Sequence, residues 1–317
     1  MVEGVMMRSP KSFVVVVRRP DGRIAVREQP WETLWPKLTP LRWPFLRGAV
    51  VLAESLHNGF SALKFSAEHA LPEEEGGQGA EAGAGTSLFL ALGTVMAVGL
   101  FMAAPHLLTY GVGRLLGIPM DTQSAQFQLV DGLFRVVILV GYILAISGTK
   151  DAGRLFQYHG AEHKTIWAYE SGGPLTVENA RKFSTLHPRC GTSFLFVVVA
   201  LAVVVHLALI PFLPRLHPDP LPNTLLMMLV KLPMLFPIAG LSYELQRLSA
   251  RDGSPAFVRL LVRPGLWLQR ITTKEPTDDQ LEIAVLALER ALAREEGRSK
   301  APDGVAVYPD FAVAASL

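Results

Sequence analysis

Thr192-Ser193-Phe194-Leu195-Phe196-Val197-Val198-Val199-Ala200-Leu201-Ala202-Val203-Val204-Val205-His206-Leu207-Ala208-Leu209-Ile210-Pro211-Phe212-Leu213 decides the fold. His206 is the one ionisable group in this apolar run, and a helix needs about 20 such residues to cross a bilayer. Three further stretches read the same way. Ser87–Leu108 is apolar and almost uncharged, with His106 near its end. Leu133–Ser147 reaches spanning length when Leu129-Val130-Asp131-Gly132 joins it. Thr224–Tyr243 carries Lys231, Pro233 and Pro237, the pattern of a kinked helix whose freed carbonyls are met by neighbours. One such run could be a buried core helix; four predict a mainly α polytopic membrane protein.

The composition agrees. Of 317 residues, 50% are hydrophobic and 18% charged, against about 25% charged in a soluble domain, and the mean hydropathy is +0.31. These values exclude a disordered chain and argue against an ordinary soluble enzyme. Cys190 is the single cysteine, so there is no internal disulfide framework. The short N-terminal apolar run has no cleavage site after it and is not a signal peptide.

Charge is unevenly spread. Lys and Arg number 10 in residues 1–86, 6 in 150–192 and 10 in 247–317, while 109–128 and 214–223 carry one each, Arg114 and Arg215. By the positive-inside rule both termini and the central 150–192 loop are cytoplasmic, and the protein sits in the cytoplasmic membrane. The flanking segments are legible too. Ser12–Arg18 and Arg23–Glu28 flank a Pro-Asp-Gly turn and, with Val2–Met7, predict a β-meander. Within Leu41–Ala70, Leu46, Val50, Ala53, Leu56, Phe60 and Leu63 recur at helical spacing. That helix either packs on the meander or lies in the membrane interface, which Arg42, Trp43 and Arg47 would suit. The meander and helix form a unit at 1–71. A Glu/Gly-rich linker follows at 72–86, then the membrane domain at 87–246. A cytoplasmic helical tail occupies 247–296 and a loose end 297–317. In the tail, Thr277 and Gln280 form a helix-start pair ahead of the stripe Leu281, Ala284, Val285, Leu288 and Leu292.

The central loop holds the chemistry: Phe156-Gln157-Tyr158-His159-Gly160-Ala161-Glu162-His163-Lys164. His159 and His163 lie one helical turn apart on one face, the spacing that lets two imidazoles share a metal ion. Glu162 can take a proton from a water that the ion activates. H-x-x-E-H is also the inverzincin order. The plain alternative is a surface histidine pair beside Glu162 and Lys164. Further ligands are sought in Leu186-His187-Pro188-Arg189-Cys190-Gly191-Thr192, where His187 and Cys190 are three apart. Cys190 would favour zinc, or is simply a small residue at a helix entry. Glu244 could be the downstream carboxylate ligand, or be solvated or paired with Arg247. Glu170, Arg189 and Lys164 are candidates for holding the ligands from outside. His57, His69, His106, His206 and His217 are scattered and read as packing or surface residues.

These residues, with Val2-Glu3-Gly4-Val5-Met6-Met7-Arg8, Cys190-Gly191-Thr192-Ser193-Phe194, Pro264-Gly265-Leu266-Trp267-Leu268-Gln269 and Thr272-Thr273-Lys274-Glu275-Pro276-Thr277-Asp278-Asp279-Gln280, carry a resemblance. The chain resembles the bacterial membrane family of domain of unknown function 1385, the YqhQ-like proteins, over about residues 2–296. That family is described as predicted metal-dependent enzymes without an established substrate, so the resemblance implies a site at His159, Glu162 and His163. The Gly-Gly-Gln-Ala stretch usual ahead of Val-Glu-Gly falls before Met1, so a truncated or late-assigned start is expected.

Three functions follow. The first is a metal-dependent hydrolase, zinc being the expected ion, acting at the cytoplasmic membrane face with Glu162 as base. The second is a non-catalytic membrane factor that binds a protein partner and carries a structural metal. The third, a transporter, is weaker because Asp131, Arg135, His206 and Lys231 are few for that task. The lipid bilayer is the expected surrounding, and no nucleic-acid motif is present.

Overall fold

In a computed structural model of the chain, the residues described are 1–31, 33, 43, 46–70, 88, 92–93, 95–97, 99–118, 120–249, 251, 253–298 and 304–316. The expected linker at 72–86 lies outside them, as do Arg42 and part of the first apolar run. The protein is mainly helical, with four helices long and apolar enough to cross a membrane among the described residues.

The polar body starts from strands β1 (Gly4–Arg8), β2 (Ser12–Arg18) and β3 (Ile24–Pro30), paired antiparallel in chain order. Gly22 closes the Pro-Asp-Gly turn at φ 83°, a conformation that suits glycine. The run Phe13 to Val17 is apolar at every position because the sheet is covered on both faces. Phe13, Val15 and Val17 pack on Ala62 and Phe65 of helix α1 (Leu46–Ala70). Val14 and Val16 face the other way, onto a core with Leu281, Ala284 and Leu288.

Helix α1 packs on the sheet, the first of the two settings expected for it, and it also touches the fourth span. Its second half covers the sheet. Its start crosses the fourth span so closely that a Cβ on Gly48 would lie 2.8 Å from the Gly240 Cα.

The four spans follow. Helix α2 (Ala104–Leu115), entered through a π-helical turn Gly99–Ala103, completes a first span at Val95–Leu115. The expected end at Leu108 is corrected: His106 is fully buried and does not mark a boundary, and the helix runs on to Leu115, just ahead of Gly117 at φ 67°. Helix α3 (Ala125–Ser147) is the second span, capped by the Ser124 hydroxyl. Helix α4 (Lys150–Glu170) and the short α5 (Val177–Ala180) make up the central segment, which is helix rather than loop for much of its length. Helix α6 (Gly191–Leu209) with its 3-10 extension to Phe212 is the third span, and α7 (Pro220–Ser249) the fourth. Pro233 and Pro237 lie inside α7. Leu133, Val137, Val204, Leu229 and Phe236 are exposed around the bundle, an apolar belt that water would penalise and lipid accepts.

Helix α8 (Ala256–Thr272) packs along α6, with Gly265 against the Ser193 backbone, and exposes Phe257, Leu260, Leu261 and Trp267 on its far side. Helix α9 (Asp278–Glu295) begins with the expected Thr277/Gln280 capping box and is the core helix beneath the sheet.

The loose end expected at 297–317 is corrected. Strand β4 (Gly304–Tyr308) pairs antiparallel with β3, from Ile24 opposite Tyr308 to Glu28 opposite Gly304. Helix α10 (Phe311–Ser316) then buries Ala314, whose carbonyl accepts from Arg290. The β-prone Val305-Ala306-Val307-Tyr308 covers an edge that β3 would otherwise leave unpaired.

Candidate metal centre

His159 and His163 project from one face of α4, and Cys190 caps the N-terminus of α6. Their three ligand atoms lie within 4.8 Å of one another. Each imidazole is fixed by its Nδ1. That of His159 hydrogen-bonds the Thr272 carbonyl at 2.8 Å, and that of His163 the Thr185 carbonyl at 2.5 Å. A carbonyl only accepts, so Nδ1 carries the hydrogen on both rings, and a neutral ring then presents Nε2 as a lone pair. The Nε2 of His159 is 3.1 Å from Cys190 Sγ. The thiol therefore donates to it, and the Thr192 N–H donates to the sulfur at 3.4 Å.

This donor set fits a transition-metal ion. Two Nε2 atoms and one sulfur suit zinc, and backbone carbonyls behind metal-binding imidazoles are the usual way of fixing tautomer and orientation.

The carbonyls reach the rings because the chain is pulled tight. Gly160 sits where a Cβ would come 2.1 Å from the Lys274 carbonyl, and the Lys274 N–H bonds the Phe156 carbonyl at 2.9 Å. Gln269 clamps the other side. It accepts from the His187 N–H at 2.8 Å and donates to the His187 carbonyl at 2.7 Å and the Ser193 hydroxyl at 2.6 Å. The Trp167 indole holds the Leu186 carbonyl at 2.8 Å. The sequence reading missed Thr185 and Thr272, which act through backbone oxygens and leave no side-chain signal. Gln269, a fully buried amide on an amphipathic helix, was the findable residue.

The other expected ligands lie elsewhere. The His187 ring centre is 5.7 Å from that of His163, yet both its nitrogens are engaged. Its Nδ1 accepts from the Arg189 N–H at 3.3 Å and its Nε2 faces Glu170 at 3.4 Å. Burial pulls the His187 imidazole below its ordinary value, and Glu170 pulls the other way. Glu244 is bound through both oxygens by the Arg47 guanidinium, each at 2.6 Å, rather than by the Arg247 expected from the sequence. It ties α1 to the fourth span.

Of the outer candidates, Glu170 pairs with Arg189 and His187, so both reach the site through His187. Lys164 is corrected: it turns away to the Arg181 carbonyl and to Glu275 at 2.6 Å. Glu162 is partly buried beside the group without belonging to it. Burial pushes its carboxyl above the usual range, and the nearby His159 acts against that shift.

His106 and His206 are not isolated packing residues. His106 bonds Asp131, which also holds Arg135 and Lys231, and His206 is buried in the same bundle with neither ring nitrogen hydrogen-bonded among the described residues.

The sequence pattern described as "Protein of unknown function (DUF1385)" matches residues 43–294. The chain is also similar to "Uncharacterized protein YqhQ" of Bacillus subtilis (strain 168), with 34% identity over 306 residues, covering 93% of this chain and 91% of that protein. No solved structure matches. A match over most of the chain, together with a relative aligned along nearly its full length, places this protein in the DUF1385 family.

Proposed function

We propose that the protein is a metal-dependent hydrolase of the cytoplasmic membrane, with a divalent ion, zinc by its donor chemistry, held by His159, His163 and Cys190. The observation that carries this is the pair of imidazoles anchored at Nδ1 on backbone carbonyls, whose ligand atoms lie with the Cys190 sulfur within 4.8 Å of one another. Three protein ligands is the count at which a zinc site is catalytic rather than closed. Bound there, the ion would supply Lewis acidity to the group under attack.

The chain's own residues supply the rest. Glu162, raised above the ordinary carboxylate range by burial, takes the proton of the attacking water and returns it to the leaving group. The Thr272 and Thr185 carbonyls keep both rings in one tautomer. The substrate class is an amide or phosphate compound, peptide, lipid-linked or small, reached from the membrane surface. The cytoplasmic placement is supported by 26 Lys and Arg in the terminal and central segments against 2 in the opposite connections. The packing of the sheet and α9 on α4 joins those segments in one body and supports it further.

One observation favours a structural metal instead. The three donors tie α4 to the start of the third span, while Glu162 stands outside the group. The two readings part at Glu162→Gln. In a hydrolase this variant keeps the metal and loses complementation of a strain lacking the native copy, by about 10²–10⁴-fold in rate. His159→Ala loses metal and function together. Full complementation by Glu162→Gln at normal expression ends the hydrolase reading.

A further inference from the structure

Three of the four spans send ionisable side chains to one buried cluster, and the remaining span, the third, buries a histidine in the same bundle. His106 comes from the first span, Asp131 and Arg135 from the second, His206 from the third and Lys231 from the fourth, each no more than 6% exposed. Asp131 is the hub. Its Oδ1 accepts from His106 Nδ1 at 2.5 Å, and its Oδ2 from Arg135 Nε at 3.1 Å and Lys231 Nζ at 3.2 Å. Lys231 also donates to the Gln128 amide oxygen at 2.8 Å.

The charges do not balance. One carboxylate faces a guanidinium and an ammonium, so with neutral imidazoles the cluster holds one excess positive charge. Inside a bilayer such a charge is retained only with a partner or a function. The hydrogen bonds do not balance either. Among the described residues, Arg135 Nη2, His106 Nε2 and both nitrogens of His206 are buried without a partner. Lys231 has a third hydrogen beyond the two that it donates. His206 stands one turn from Val203, and a Cβ on Gly132, the neighbour of Asp131, would lie 2.5 Å from the Val203 side chain, so the packing of the second and third spans brings His206 alongside the cluster. Water could meet the free donors but would leave the charge uncompensated.

We propose that Arg135, His206 and Lys231 bind one small monovalent anion inside the four-span bundle. The anion supplies the missing negative charge and accepts from the Arg135 Nη2, the His206 N–H and the free Lys231 hydrogen.

It enters from the end of the bundle opposite the His/Cys group. A pocket of about 450 Å³ lies there, with Arg114, Arg215, Thr122 and Asn223 in its walls. Thr122 links it to the cluster: its carbonyl accepts from the Gln128 amide at 2.5 Å, and Gln128 holds Lys231. Asn223 is joined to the same wall through Gln123 at 3.1 Å. An inorganic halide and a one-carbon carboxylate share the required charge and size.

Binding of radiolabelled chloride and of radiolabelled formate to the full-length protein in detergent tests this, with sodium gluconate holding ionic strength constant. Saturable binding of one anion per chain is expected, with a rise of about 2–4 °C in the unfolding midpoint over gluconate alone. Whichever label binds names the source. Lys231→Met should lose both effects. His206→Leu is the safer variant, because it removes no hydrogen bond within the protein and so preserves the fold. It should weaken anion binding at least tenfold. Absence of saturable binding of either label in wild type overturns the proposal. So does a folded His206→Leu protein that binds as wild type does, or one that gains stability and shows an unchanged anion response.

Discussion

Two histidine-containing clusters lie at two depths of this molecule, and they are built on opposite principles. At the polar end, His159 and His163 are neighbours on one helix, held by backbone carbonyls, with a thiol completing the group. Among the described residues no carboxylate belongs to it. Within the spans, His106 meets a carboxylate that stands between two cations, and His206 is buried on a different helix of the same bundle. The first arrangement leaves lone pairs for an ion to take. The second spends its carboxylate on two cations and an imidazole and leaves a positive charge over, with Arg135 Nη2 unpartnered among the described residues. A histidine's partner at Nδ1, rather than its burial, tells which kind of site it belongs to.

This contrast can be broken. The largest effect is expected at Asp131. Asp131→Asn leaves Arg135 and Lys231 buried without their carboxylate and should cost about 3–5 kcal/mol in unfolding stability, measured in mixed micelles. A cost near zero would mean that the span cluster is not held together by charge.

Next comes Gly160→Ala. Its Cβ meets the Lys274 carbonyl at 2.1 Å, so the strap carrying the Thr272 carbonyl must move off His159. Metal affinity should fall about 10–100-fold, the range found when a partner behind a ligand is lost. Unchanged affinity in a metal titration would show that the Thr272 carbonyl does not orient the ring.

His159→Ala in metal-free protein should cost only about 1–2 kcal/mol, the net worth of its hydrogen bonds to the Thr272 carbonyl and the Cys190 sulfur. Calorimetry showing a loss as large as that of Asp131→Asn would erase the distinction between the clusters.

The smallest effect is expected at His187 and Glu244. His187→Ala and Glu244→Gln should leave metal stoichiometry as in wild type, since both side chains are engaged elsewhere. Loss of the ion in either variant, by elemental analysis, would restore the sequence-based ligand set.

Local pattern carried much of this. The third span, the capping box at Thr277 and Gln280, and the His159/His163 face are all set by residues within a few turns of one another, where spacing translates directly into geometry. The strand at Ser12–Arg18 was legible as well, but that its sheet is buried on both faces came only with the packing of α1 and α9. Long-range partner choice had no such signature. Glu244 had Arg247 three residues away and took Arg47, because the crossing of Gly48 on Gly240 brings α1 within reach. Val305–Tyr308 found the edge of β3 only once the chain had returned to the sheet. Asp131, Arg135, His206 and Lys231 read as four sparse charges, too few for a function. The packing of Gly132 on Val203 draws the second and third spans together and brings His206 alongside the other three. Periodicity records which way a side chain faces on its own helix. Which side chain it meets there depends on how the helices pack, and in these spans that packing is set by small residues whose fit cannot be read from the strand of sequence that carries them.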